Sequence, residues 1–576
     1  VDKADLPADD AKRDDAFDDD ATAQLPVADA AATSALPDSD ATAHLVVADA
    51  ATAAFPAADA ATTMLPVADA ATTTVIPGEG TTTVLPVAET ARAAAPTAKT
   101  TGLGVVFARH PRAWLVTAGA LVFALLGTGA VFAGTQTGAE EPRAASALET
   151  ATPTPTPTAT VPPARPVPGA ATAASRLRTC SVAGLAADAR LANFQGQVMN
   201  ATTGEVLFDR GGTTASATAS VLKVVTSAAA LSVLGPDFRA TTTVVKGSEP
   251  GQVVLVGGGD LTLSRLPSGA EPFYTGAAHL DDLAAQARAA WDADPANAGV
   301  PMTSLVLDSS YFSGPEWDDG WARSELGLGY MPEITALQVD GDRDNPSRST
   351  SPRSEDPVAR AGQAFAEALG GGVTVSQGTA PPGAAQLGSV QSQPVSTLIT
   401  QSLIVSDNTI AEMLARLTSI RSGAGNDFAS LQQGVVDGLA PYGIDTTGIV
   451  IKDGSGLSPA NAVSPAYMTA LFVKINAREG NLGVIFDGLP VAGGPSGSLS
   501  YSDRFAGPNS VADGAVFAKT GWITTGYTLS GIIRAADGTP LTFAVYALGN
   551  VSDNAKQAID TITAGFFRCG DNLSNN

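Results

Sequence analysis

A serine three residues ahead of a lysine is the first pairing in this sequence able to make and break an acyl bond. Ser220 and Lys223 form the only S-x-x-K in the chain, within TASVLKVVTSAAAL. The apolar spacing there is that of a buried helix, on which residues three apart share a face, so the amine can reach the hydroxyl. Burial disfavours the charged amine, and a neutral Lys223 could take the hydroxyl proton as Ser220 attacks a carbonyl. Competing chemistries are few, because the chain has three histidines and two cysteines. His44 and His110 precede the part able to fold, which leaves His279 in AAHLDDLAAQARAAW, an amphipathic helical pattern with the histidine at its surface. A two-histidine metal site is thereby excluded, and a Ser-His-Asp triad would depend on that one ring. No metal or organic cofactor is expected.

Two further triplets follow in order. Ser406-Asp407-Asn408 lies in LIVSDNTIAEMLARL, where a helical stretch begins, and Lys519-Thr520-Gly521 lies in AVFAKTGWITTGYTLSGIIR, which alternates and pauses at glycines like an antiparallel strand. A second Ser-Asp-Asn, at Ser552–Asn554, comes after K-T-G and is out of order. The succession S-x-x-K, S-D-N, K-T-G is the signature of class A β-lactamases and penicillin-binding proteins. In such a site Ser220 attacks the amide carbonyl, Lys223 takes its proton, and Ser406 relays a proton to the leaving amine. Asn408 binds the substrate amide and Lys519, with Thr520, faces its carboxylate. Gly521 lets the strand approach the substrate closely, and the N–H groups of Ser220 and of the residue after Gly521 form an oxyanion hole.

These elements must be positioned by a domain, and only about the last 400 residues have the composition to bury a core. Residues 1–108 contain 17 acidic and 5 basic side chains, a net −12 and half of the formal −24 of the chain, for which no nucleic-acid partner is expected. They carry a repeat of about ten residues, with Leu-Pro at Leu25, Leu36, Leu65 and Leu85, too rich in proline for a long helix and too poor in large apolar residues for a core. We read this tail as a disordered acidic spacer, or as a segment phosphorylated at threonines such as Thr73, Thr82 and Thr83 and read by a phosphothreonine-binding partner. Within 109–134, Trp114–Gly134 carry no charge and as a helix would span a bilayer. Arg109 and Arg112 precede that run and Glu140 and Glu141 follow it, so the expected topology is a single-pass cell-membrane protein with its N-terminus cytoplasmic and its catalytic domain outside. Residues 135–178, rich in Pro and Thr, read as an extended linker. Cys180 and Cys569 bracket the domain at 179–570. We read them as one disulfide, against two unrelated buried thiols; on chain entropy so long a loop would add at most about 6 kcal/mol.

The sequence resembles the low-molecular-mass class C penicillin-binding proteins, which are D-alanyl-D-alanine carboxypeptidases and endopeptidases. The resemblance runs from about Cys180 to Cys569 and rests also on GQVMNATTGEVLFDRGG, LVGGGDLTL, LDSSYFSGPEWDDGW, ALQVDGDR, DGSGLSPANAVSP and LPVAGGPSGSLSYSDRF, in that order. It implies an α/β (α+β) fold of the serine β-lactamase/transpeptidase type, an antiparallel sheet flanked by helices, with an insertion between the first two motifs. The strand-like segments and the Pro/Gly-rich return (TAPPGAAQLGSVQSQPVS) of residues 236–395 lead us to expect that insertion to be β-rich. The implied partners are peptidoglycan stem peptides, with β-lactam antibiotics as covalent inhibitors. A class A β-lactamase also needs a carboxylate to activate the deacylating water, and between Glu412 and Glu479 there is no glutamate; Asp453 belongs to the DGSGLS turn and is expected to shape it. A long-lived penicillin adduct is therefore expected, with a β-lactamase as the alternative. In the family a small hydroxyl residue usually follows K-T-G and a proline stands two before the nucleophile, whereas this chain has Trp522 and Thr218. The first change points to carboxylate recognition rebuilt through Thr520, Thr524 or Thr525, or to a catalytically weak wall sensor that recruits partners through its tail.

Overall fold

The computed structural model describes residues 176–576. The acidic tail, the apolar segment at 109–134 and all but the last residues of the 135–178 linker lie outside the described residues. No helix among the described residues is long and apolar enough to cross a membrane.

The short strand β1 (Cys180–Ser181) is followed by a hairpin of β2 (Asn193–Asn200) and β3 (Val206–Arg210), with Val198 opposite Phe208. Asn200 closes the hairpin turn, its Oδ1 accepting from the N–H groups of Thr202 (2.9 Å) and Thr203 (3.1 Å). Helix α1 (Leu222–Val233) is buried from Leu222 to Leu231, as its unbroken small and apolar composition requires.

Between α1 and the next helix of the catalytic unit lies a separate layer with its own core. It contains β4 (Thr241–Lys246), β5 (Gln252–Val256), α2 (Leu280–Ala293), β6 (Ser304–Asp308), α3 (Pro357–Ala368), β7 (Thr374–Gln377) and β8 (Gln386–Gln391). The sheet order is β7-β6-β5-β4-β8, antiparallel around β4 and parallel from β5 to β7. The expectation of a β-rich insertion needs correcting: this is a mixed α/β layer. Parallel neighbours need long crossovers, and the stripe Leu280, Leu283, Ala284, Ala287, Trp291 of α2 packs with Val358, Ala361 and Phe365 of α3 in the core of that layer.

The chain then returns through α4 (Val395–Val405), α5 (Asn408–Ser422), α6 (Leu431–Leu439) and α7 (Pro465–Asn476) to an antiparallel meander, β9 (Val516–Ile523), β10 (Gly526–Arg534) and β11 (Pro540–Leu548). Helix α8 (Ala555–Cys569) and β12 (Leu573–Ser574), parallel to β1, finish it, and Cys180 and Cys569 form a disulfide. Strand alternation splits the core in two. In β11, Leu541, Phe543, Val545 and Ala547 pack with α8 and the β2–β3 hairpin, while Ala544 and Tyr546 face α1 and α7. The helices α1, α4, α5, α6 and α7 thus form one layer on the sheet and α8 the other.

Candidate active site

Ser220 sits in the single 3-10 turn, Ala219–Val221, that leads into α1, and Lys223 is in the first turn of that helix. The approach is strained, because Ala219 has φ +47°. Gly456, at φ +88°, lies so close to the Ala219 carbonyl that any side chain there would collide with it. Ser406, at φ 59°, turns the chain from α4 into α5, and Asp407 caps α5 by accepting from Ile410 N–H at 2.8 Å. Lys519, Thr520 and Gly521 lie on β9. Its pleat puts Lys519 and Gly521 on the α1 side and Thr520 and Trp522 on the other.

The three motifs meet around two lysines. Lys223 Nζ donates to Ser220 Oγ (2.9 Å), Asn408 Oδ1 (2.6 Å) and the Ser455 carbonyl (2.8 Å). Lys519 Nζ donates to Ser406 Oγ (2.9 Å) and to the Thr520 carbonyl (2.9 Å). A Cβ on Gly521 would lie 2.9 Å from Ser220 N and 2.8 Å from the Thr218 carbonyl, so β9 runs directly against the backbone of Ser220. Thr218 itself is tied to β10, its carbonyl accepting from Thr528 Oγ1 at 2.6 Å. Thr520 Oγ1 is 2.6 Å from Ser498 Oγ, in the loop before β9. Trp522 is 38 % exposed and packs against its cross-strand partner Tyr527. His279 precedes α2 with its Nδ1 at 2.8 Å from the Leu266 carbonyl, within the insertion.

Burial pushes the Lys223 amine down to about 8, while Asp453, Glu412 and Asp407 pull it up. Lys519 is also held well below its usual range, by burial first and then by the charges of Lys223 and Arg504. Asp453 accepts from Gly456 N–H (2.7 Å), Ser458 N–H (2.6 Å), Asn461 Nδ2 (2.9 Å) and Trp321 Nε1 (2.8 Å), and so holds the DGSGLS turn in shape.

Sequence reasoning missed four contributors. Ser455 and Tyr330 act through main-chain carbonyls, the latter accepting from Asn408 Nδ2 at 3.1 Å, and a carbonyl has no residue-type signal. Ser498 braces Thr520. Arg343, in the ALQVDGDR segment that the sequence singled out without assigning it a job, donates to Asp407 at 2.8 Å.

The model of the D-Ala-D-Ala carboxypeptidase 3 (S13) family matches residues 179–352 and 342–567. The chain belongs to that family. Carboxypeptidase DacB of Mycolicibacterium smegmatis is 36 % identical over 427 residues, covering 71 % of this chain and 89 % of the relative. Among solved structures, penicillin binding protein 4 of Haemophilus influenzae superposes with a TM-score of 0.55 at 20 % identity, over 65 % of this chain and 96 % of that one. The same protein complexed with a β-lactam gives 0.51 at 19 % identity, again over 65 % and 96 %. At these identities the structural likeness speaks for the fold.

Proposed function

We propose that this S13-family protein is a serine-type D-alanyl-D-alanine carboxypeptidase of peptidoglycan stem peptides, with Ser220 as nucleophile and Lys223 as its base. The observation that carries the assignment is the 2.9 Å bond between Lys223 Nζ and Ser220 Oγ, made by an amine that burial has brought down to about 8. Ser220 Oγ bonds to the carbonyl carbon of the penultimate D-alanine as its proton passes to Lys223. The oxyanion is held by the N–H groups of Ser220 and Trp522. The C–N bond then breaks, and the leaving D-alanine amine takes a proton through Ser406, which Lys519 holds at 2.9 Å. Water attacks the acyl-enzyme, returns the proton to Ser220 and releases the shortened peptide. Asn408 orients the substrate amide, Lys519 and Thr520 its carboxylate, and Gly521 keeps β9 close to the substrate.

β-Lactams would acylate Ser220 by the same attack on their ring carbonyl. The two acids that pull the Lys223 amine up most, Asp453 and Glu412, are spent on the backbone of the DGSGLS turn, which favours a long-lived adduct over β-lactamase turnover. Residues 109–134 would anchor the domain outside the membrane, with a cytoplasmic tail as spacer or phosphothreonine-bearing docking segment.

The test is labelling of the solubilised full chain with a fluorescent penicillin beside Ser220→Ala. Stable signal in the wild type and none in the variant is expected. Signal that persists in Ser220→Ala, or is absent from both, would overturn the assignment.

A further inference from the structure

Helix α5 bears on Lys223 twice. Asn408, in its first turn, accepts from the amine directly at 2.6 Å. Glu412, one turn later on the same face, reaches the amine through Ser455, whose N–H and C=O belong to successive peptides. Its Oε1 accepts from Gly454 N–H (3.0 Å) and Ser455 N–H (2.8 Å), its Oε2 from Gly454 N–H (2.9 Å), and the Ser455 carbonyl accepts from Lys223 Nζ at 2.8 Å. The Gly454–Ser455 peptide, whose N–H Glu412 binds, is held from its carbonyl side by α1, where Thr226 Oγ1 donates to the Gly454 carbonyl at 2.7 Å. There is no slack: a Cβ at Gly454 would lie 2.5 Å from the Ala411 carbonyl and from Ala415 Cβ. Glu412 has no solvent exposure, and a buried carboxyl is costly unless it is hydrogen-bonded, as it is here by the Gly454 and Ser455 N–H groups.

We propose that Glu412 is a positioning residue for acylation, which fixes the Gly454–Ser455 peptide so that the next carbonyl, that of Ser455, meets Lys223, and which when ionised places a negative charge behind the amine. This rests on the reading of Lys223 as the base. The charged groups that act on the pair are Lys223 from α1, Asp453 from the turn and Arg416 from α5; Asp407 and Lys519 also interact with Lys223. Burial raises the Glu412 carboxyl, and the Asp453 charge raises it further, so the two acids do not ionise independently. To the extent that Glu412 is ionised, it favours the protonated amine and raises the pH at which Lys223 becomes a base.

The experiment measures the rate of covalent labelling by fluorescent penicillin against pH for the full chain, Glu412→Gln, Glu412→Asp and Thr226→Val, with Lys223→Ala as reference. Glutamine keeps the shape but loses the charge and turns an N–H donor towards a donor. We expect its alkaline plateau to fall about tenfold and its acid limb to move to lower pH by about one unit. Glu412→Asp keeps the charge on a shorter arm, and Thr226→Val loosens the same peptide with no change of charge. Both are expected to label more slowly with the limb in place. A Glu412→Gln limb that does not move, or an unchanged plateau, overturns the proposal. If that variant does not fold, unchanged labelling by Thr226→Val and Glu412→Asp does so. Labelling of Lys223→Ala at the wild-type rate would instead remove the reading of Lys223 as base.

Discussion

Arg343 of the insertion donates to Asp407 at 2.8 Å, and both side chains are almost wholly buried. The guanidinium also lies over the rings of Phe273 and Tyr274, and Tyr274 Oη donates to Asp407 Oδ1 at 3.2 Å. Burial alone would raise the Asp407 carboxyl; Arg343 and the Ile410 N–H more than offset it and hold the group ionised below its usual range. The middle residue of the S-D-N triplet is therefore fastened to the inserted layer, and the two residues beside it, Ser406 and Asn408, touch the two lysines.

Arg343→Met would leave a buried carboxylate without its cation. We expect a loss of about 3–5 kcal/mol in stability, read by thermal or urea unfolding. Penicillin labelling should slow as well at temperatures where the variant is still folded, because Ser406 and Asn408 lose their anchor.

Gly521→Ala tests the contact between β9 and the nucleophile. The added Cβ meets Ser220 N, the Thr218 carbonyl and Thr528 Oγ1. If the Ser220 N–H belongs to an oxyanion hole, labelling should fall by about 10²–10³-fold. Far-UV circular dichroism would check that the sheet is retained.

The pH dependence follows from the direction of the Lys223 shift. The amine is the base only when neutral, and burial brings it down to about 8. Acylation should therefore rise with pH through about 8 and flatten above it, instead of rising through the ordinary lysine range near 10. A stopped-flow profile of acylation reads this directly.

Losing the bridge by Cys180→Ala or Cys569→Ala should cost about 2–5 kcal/mol of stability. Neither cysteine contacts the lysine pair, so Ser220 labelling at room temperature should persist while the melting temperature falls.

How far the sequence could be read depended on the kind of contact. Ser220 and Lys223 are three apart on one helical turn, and K-T-G lies on a strand whose alternation is plain, so these elements were legible from local pattern. Their meeting with Ser406 and Asn408 came only from the order of the motifs. The helical stripe Leu280, Leu283, Ala287, Trp291 was legible too, yet the mixed sheet it packs with was not, because short apolar runs do not reveal whether their neighbours run parallel. Arg343 and Asp407 are 64 residues apart, and nothing local marks either as the other's partner. Trp522 was marked only by analogy with the family; the pleat puts it, with Thr520, on the side of β9 away from Lys519 and Gly521, which a single position in a motif does not reveal.

The Cys180–Cys569 bridge, with β1 and β12 paired beside it, brings the two ends of the described chain to one place. A pull on the polypeptide ahead of Cys180 meets a covalent bond before it meets a strand of the sheet. Tension would be carried from Cys180 into the end of α8 and pass by α1, α5 and β9, which hold the lysine pair. The handle by which the molecule would be pulled is separate from the machinery by which it works.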